Sequence, residues 1–147
     1  MREVSKQSAS SQLVMAFDFG LRYIGVAIGQ PLTRQARGLA TLMAKQGKPS
    51  WHELKALIEE YAPGCLIVGE PLHMDGESSQ MSMAAQQFAT NLATRYKIET
   101  VLTDERLTSR AAADLLEDAQ ALGTAKTIHE ISACLIAEQY LRSVSEN

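Results

Sequence analysis

Leu13-Val14-Met15-Ala16-Phe17-Asp18-Phe19-Gly20, followed shortly by Ile24-Gly25-Val26-Ala27-Ile28, is the stretch whose reading decides the fold. Each apolar run is the length of a strand, and neither alternates with polar residues. Both therefore read as strands buried on two faces, hairpinned around Gly20-Leu21-Arg22. Asp18 ends the first run. A carboxylate is costly to bury without a partner, so something positive should neutralise it, a metal ion first of all. A solvated aspartate or a turn former before Gly20 is the plain alternative.

Other acids fall at the ends of later runs. Cys65-Leu66-Ile67-Val68-Gly69 follows the Pro63-Gly64 breaker and leads into Glu70-Pro71. Ile98-Glu99-Thr100-Val101-Leu102-Thr103 alternates apolar and polar residues and delivers Asp104-Glu105-Arg106. Ligands of open parallel or mixed sheets bind beyond the carboxyl ends of the strands. Asp18, Glu70 and Glu105 are therefore expected to converge on one edge, a hard-oxygen set suited to Mg²⁺ or Mn²⁺. Glu105 pairing with Arg106 or Arg110 on a solvated loop, and Glu70 as a strand terminator before Pro71, are the competing readings.

Four segments together resemble the YqgF/RuvX family: Met15-Ala16-Phe17-Asp18-Phe19-Gly20; Ile24-Gly25-Val26-Ala27-Ile28-Gly29; Val68-Gly69-Glu70-Pro71-Leu72 with Met74-Asp75-Gly76; and Asp104-Glu105-Arg106-Leu107-Thr108-Ser109. The resemblance runs from about Val14 to about Leu141. It implies an RNase H-like fold and a metal-dependent phosphodiesterase, either a nuclease for the 5′ end of pre-16S rRNA or a Holliday-junction resolvase homologue. Asp18 and Glu105 match family acids. The chain departs from the family twice. Glu70 stands where Val-Gly-Leu-Pro is usual, and His129, in Lys126-Thr127-Ile128-His129-Glu130, takes the place of an acid at the start of the last helix. If Thr127 caps that helix, His129 lies in its first turn, where the positive end of the helix dipole disfavours an imidazolium and leaves a ring able to bind metal. A surface histidine is the plain reading. Imidazole favours Mn²⁺ over Mg²⁺. Asp18, Glu105 and His129 are then the expected metal ligands, and Glu70 an additional ligand or general base. Arg22, Arg106, Arg110 and Lys126 lie near these elements in sequence and are the candidate phosphate-holding cations.

The chain has 147 residues, 46% of them hydrophobic and 21% charged, with a net charge of −3. That fits one globular domain over residues 13–147 behind a polar, Ser-rich and flexible tail at 1–12. The acidic balance argues against a generic nucleic-acid coat and leaves room for a local basic lip. Neither a signal-peptide pattern nor a run approaching ~20 apolar residues occurs, so the expectation is a cytoplasmic protein without a membrane partner. Cys65 and Cys134 read as buried thiols rather than a disulfide.

Helical patterns separate the later strands. Ser50-Trp51-His52-Glu53 has capping-box spacing ahead of an apolar face of Trp51, Leu54, Leu57, Ile58 and Tyr61. Met81, Ala84, Ala85, Phe88, Leu92 and Tyr96 form a second face; Ala112, Leu115 and Leu116 form a third, capped by Thr108 or Ser109; a fourth runs from Thr127 through Ile131, Leu135 and Tyr140. The expected architecture is α/β: a mixed central sheet with an antiparallel amino-terminal hairpin and helices on both faces. The expected partner is nucleic acid, pre-16S rRNA ahead of a DNA junction, acted on by a monomer or weak homodimer. A nucleic-acid-binding ribosome-assembly module with weak catalysis is the reading from outside the enzymes.

Overall fold

In the computed structural model, the described residues are 12–70, 77–104 and 125–145. They form strands β1 (Val14–Asp18), β2 (Tyr23–Gln30), β3 (Gln35–Lys45), β4 (Lys48–Pro49), β5 (Cys65–Glu70) and β6 (Glu99–Asp104). Three helices accompany them: α1 (Trp51–Tyr61), α2 (Glu77–Tyr96) and α3 (Ala125–Ser145). The strands make one sheet in the order β4-β3-β2-β1-β5-β6. β1 pairs antiparallel with β2 and parallel with β5, and β5 pairs parallel with β6, so the sheet is mixed.

The pleat sends alternate β1 residues to opposite layers. Met15 and Phe17 join a core with Leu54 and Ile58 of α1 and Phe88 and Leu92 of α2. Val14 and Ala16 join Ile136, Ala137 and Leu141 of α3 on the other face. Helices thus cover both faces, as the alternation of patterns implies. α1 begins as read from its sequence: the Ser50 hydroxyl accepts from the Glu53 N–H at 3.4 Å. It ends at Ala62, whose left-handed conformation lets its N–H reach the Ile58 carbonyl.

Two features differ from the sequence reading. Gln35–Lys45 is an eleven-residue strand where no element was expected. Its Ala, Leu, Met and Lys residues carry little strand preference, and pairing with β2 overrides that. α3 begins at Ala125, so Thr127 is inside the helix rather than its cap. Ala125 and Lys126 are good helix formers and extend the helix by two residues. His129 consequently lies beyond the first turn, and the dipole argument for its ring weakens. The expected tail up to residue 11 and the helix of Ala112, Leu115 and Leu116 lie outside the described residues. None of the described helices is long and apolar enough to cross a membrane.

Candidate active site

Asp18 is the last residue of β1, flanked by Gly25 of β2 and Gly69 of β5 as cross-strand partners. It continues the Val14–Ala16 side of the pleat and so belongs to the α3 face. Only 9% of its surface is exposed. A buried carboxylate needs a donor, and α3 supplies one: His129 Nδ1 lies 2.8 Å from Asp18 Oδ2. An ionised carboxylate only accepts, so Nδ1 carries the proton in this contact. The imidazole stands where sequence reasoning called for a cation.

The approach of α3 depends on Gly25. A Cβ built there would fall 2.1 Å from the His129 carbonyl oxygen and 2.9 Å from its Cβ. Only a residue without a side chain lets the helix backbone sit directly on β2, which carries the imidazole over to β1. Tyr23, two residues earlier on the same face, packs its ring against that of His129 with centroids 5.6 Å apart. Tyr23 and Gly25 therefore hold the imidazole in position. Sequence reasoning missed both, because each looked like an ordinary strand residue.

Glu70 ends β5 opposite Asp104, which ends β6, so both acids reach the edge that Asp18 occupies. Their positions are half a pleat out of phase with Asp18: position 70 follows Leu66 and Val68, which belong to the α1–α2 core. Arg22 is exposed in the turn between β1 and β2. The side chains of Glu70, Asp104 and Lys126 and all of Glu105, Arg106 and Arg110 lie outside what is described. Asp18 and His129 are thus the two expected site residues that the structure brings into contact. No group of three metal-binding side chains occurs among the described residues.

The donors that do meet, a carboxylate and an imidazole, suit a divalent ion that accepts mixed oxygen and nitrogen ligands. Histidines that bind metal through one ring nitrogen commonly donate the other N–H to a carboxylate. The Asp18–His129 bond engages Oδ2 and Nδ1 and leaves Oδ1 and Nε2 outside it. While Nδ1–H is bonded to the carboxylate, Nε2 points away from it, so the contact suits either residue as a ligand supported by the other, and not both on one ion at once.

The chain is similar to known proteins in both sequence and shape. A relative from Acinetobacter baylyi, named as a candidate pre-16S rRNA nuclease, is 41% identical over 138 residues, 92% of this chain and 94% of its own. One from Hahella chejuensis, named likewise, is 38% identical over 91% of this chain and 86% of its own. The structure of Thermus thermophilus RuvC in complex with a Holliday junction substrate superposes with a TM-score of 0.58 at 15% identity, covering 91% of this chain and 96% of that one. A fowlpox virus Holliday junction resolvase gives 0.55 at 11%, covering 90% and 99%. Those two likenesses speak to the fold, which is RNase H-like. The RuvX family, described as Holliday junction resolvase, matches residues 12–143, and the chain belongs to that family of phosphodiester-hydrolysing nucleases.

Proposed function

We propose that this nuclease is divalent-metal-dependent, works at the carboxyl edge of β1, and processes the 5′ end of pre-16S rRNA. The observation that carries the reading is the contact between Asp18 and His129, a carboxylate and an imidazole joined at 2.8 Å on that edge. Asp18, Glu105 and His129 are the proposed metal-holding residues, with Glu70 as an additional ligand or general base. The metal, when bound, supplies an activated water and charge neutralisation at the leaving oxygen. Asp18 would fix the centre at the end of a strand buried on both faces. His129 orients that carboxylate through Nδ1, and once that contact opens its ring would offer the ion a nitrogen donor, which favours Mn²⁺ over Mg²⁺. Arg22, Arg106, Arg110 and Lys126 are the proposed phosphate-holding cations around it. The pre-16S target rests on the names carried by the full-length relatives.

The family description favours a second reading, cleavage of a four-way DNA junction. Cleavage of a pre-16S 5′-leader RNA and of a junction, side by side in Mg²⁺, Mn²⁺ and chelator, separates the two. The expected result is cleavage of the RNA, faster in Mn²⁺, absent in chelator and absent for Asp18→Asn. Cleavage of the junction alone overturns the RNA reading. Cleavage of neither substrate leaves the binding-module reading.

A further inference from the structure

Beyond Asp18, the same face of the sheet continues outward across β2, β3 and β4. Tyr23 of β2 is the cross-strand partner of Met43 of β3, and Lys45 of β3 is the partner of Lys48 of β4. Alternation places Asp18, Tyr23, Met43, Lys45 and Lys48 on one side, the side from which His129 approaches. With strands spaced ~4.8 Å apart, β3 and β4 lie roughly 10 and 14 Å from β1.

The β3–β4 hairpin is fixed to the active edge rather than merely near it. Its turn, Gln46-Gly47, has φ values of 52° and 82°, the signature of a tight two-residue hairpin turn. Gly47 donates its N–H to the Leu21 carbonyl at 3.0 Å, and Ala44 donates to the Arg22 carbonyl at 2.8 Å. A Cβ on Gly47 would fall 2.7 Å from Phe19 Cζ, so the turn rests on the residue that follows Asp18. Lys45 and Lys48 are thereby registered to the Asp18 edge through backbone bonds and a buried ring.

This surface is amphipathic in a particular way. Met43 is 66% exposed and Leu21 43% exposed. Arg22, Lys45 and Lys48 surround them, all exposed, and none is in an ion pair among the described residues. Leu21, Arg22, Ala44, Lys45 and Gln46 line one open hollow. Cations beside apolar side chains match the alternating phosphates and sugar–base surfaces of a nucleic-acid strand, and a chain of net charge −3 has few cations to spare for such a cluster.

We propose that the β3–β4 hairpin is a guide for the substrate strand, with Lys45 and Lys48 holding phosphates of the nucleic acid that extends from the cut. The proposal rests on the nuclease reading above but is testable apart from it. Binding of a fluorescent pre-16S 5′-leader RNA is followed across a salt series in the Asp18→Asn background, which removes cleavage. Kinetics are followed in the wild-type background. Lys45→Ala with Lys48→Ala should flatten the slope of log affinity against log salt by about 1.4, at ~0.7 per lost phosphate contact on a single strand. The same pair should raise KM on the order of tenfold with little change in kcat. Arg37→Ala with Lys55→Ala, removing two charges elsewhere, should change neither. A hairpin pair indistinguishable from that control in slope and KM overturns the proposal. If wild type cuts no nucleic acid while the hairpin pair still flattens the slope, the nuclease reading fails and the guide stands.

Discussion

The two helical layers of this molecule are built on opposite principles. Toward α1 and α2 the sheet presents Met15, Phe17, Ile24, Val26 and Leu66, which interlock with Leu54, Phe88 and Leu92. Toward α3 it presents Val14, Ala16 and Ile67 interspersed with Gly25, Gly29 and Gly38, against Ile136, Ala137, Leu141, Glu130 and the backbone of His129. Large side chains bury more apolar area per contact and dominate stability. Small ones bury less but let a helix backbone settle on the sheet, fixing its position closely. The first layer holds the fold; the second places a chemical group. The candidate site, Asp18 with His129, sits on the second.

That contrast predicts different consequences for mutations of comparable size. Leu54→Ala in the first layer should lower unfolding free energy by about 2–5 kcal/mol, read by denaturant titration. Cleavage per folded molecule should stay unchanged, since Leu54 belongs to the core on the face of the sheet opposite His129. A loss of specific activity equal to the loss of stability would dissolve the distinction between the layers.

Gly25→Ala in the second layer should cost about 1–3 kcal/mol, because the added methyl meets helix backbone and α3 must shift to admit it. The same shift withdraws His129 from Asp18, so cleavage should fall on the order of a hundredfold. Unaltered cleavage by a folded Gly25→Ala protein would mean that the close approach of α3 serves packing alone.

The smallest effect separates the layers by pH. Burial pushes the Cys134 thiol on α3 up to about 11, with Glu138 and Glu130 adding to it. Burial also raises Tyr140 to about 12, and its hydrogen bond with Cys65 adds to that. A folded-state value above the unfolded one means that the neutral thiol contributes stability below pH 9, which is lost as pH rises through about 11. The wild-type melting temperature should therefore fall more steeply between pH 9 and 11 than that of Cys134→Ala. Parallel curves for the two proteins would remove the thiol from the balance.

How much of this was legible in the chain follows from which signals are local. β1, β2 and β5 declare themselves as apolar runs, and α1 by its Ser50 cap, because each pattern needs no distant partner. β3 does not: Gln35–Lys45 mixes helix formers with two cations and becomes a strand by pairing with β2. Asp18 and His129 each stood out as chemistry-bearing residues. Their bond spans 111 positions and depends on the absence of a side chain at Gly25, and nothing local encodes that. Thr127 with Glu130 three residues on has the spacing of a capping box, yet the helix begins at Ala125.

The central claim is that Asp18 and His129 act as one metal-holding unit, and a double-mutant cycle on Mn²⁺ affinity tests it most directly. Mn²⁺ binding is measured by titration calorimetry for wild type, Asp18→Asn, His129→Ala and the double variant. His129→Ala should weaken binding by about 10–100-fold, and Asp18→Asn by more. The double variant should bind no worse than Asp18→Asn alone, because the imidazole acts on the ion together with that carboxylate. Losses that multiply in the double variant, or a His129→Ala protein that binds Mn²⁺ as wild type does, would contradict the claim.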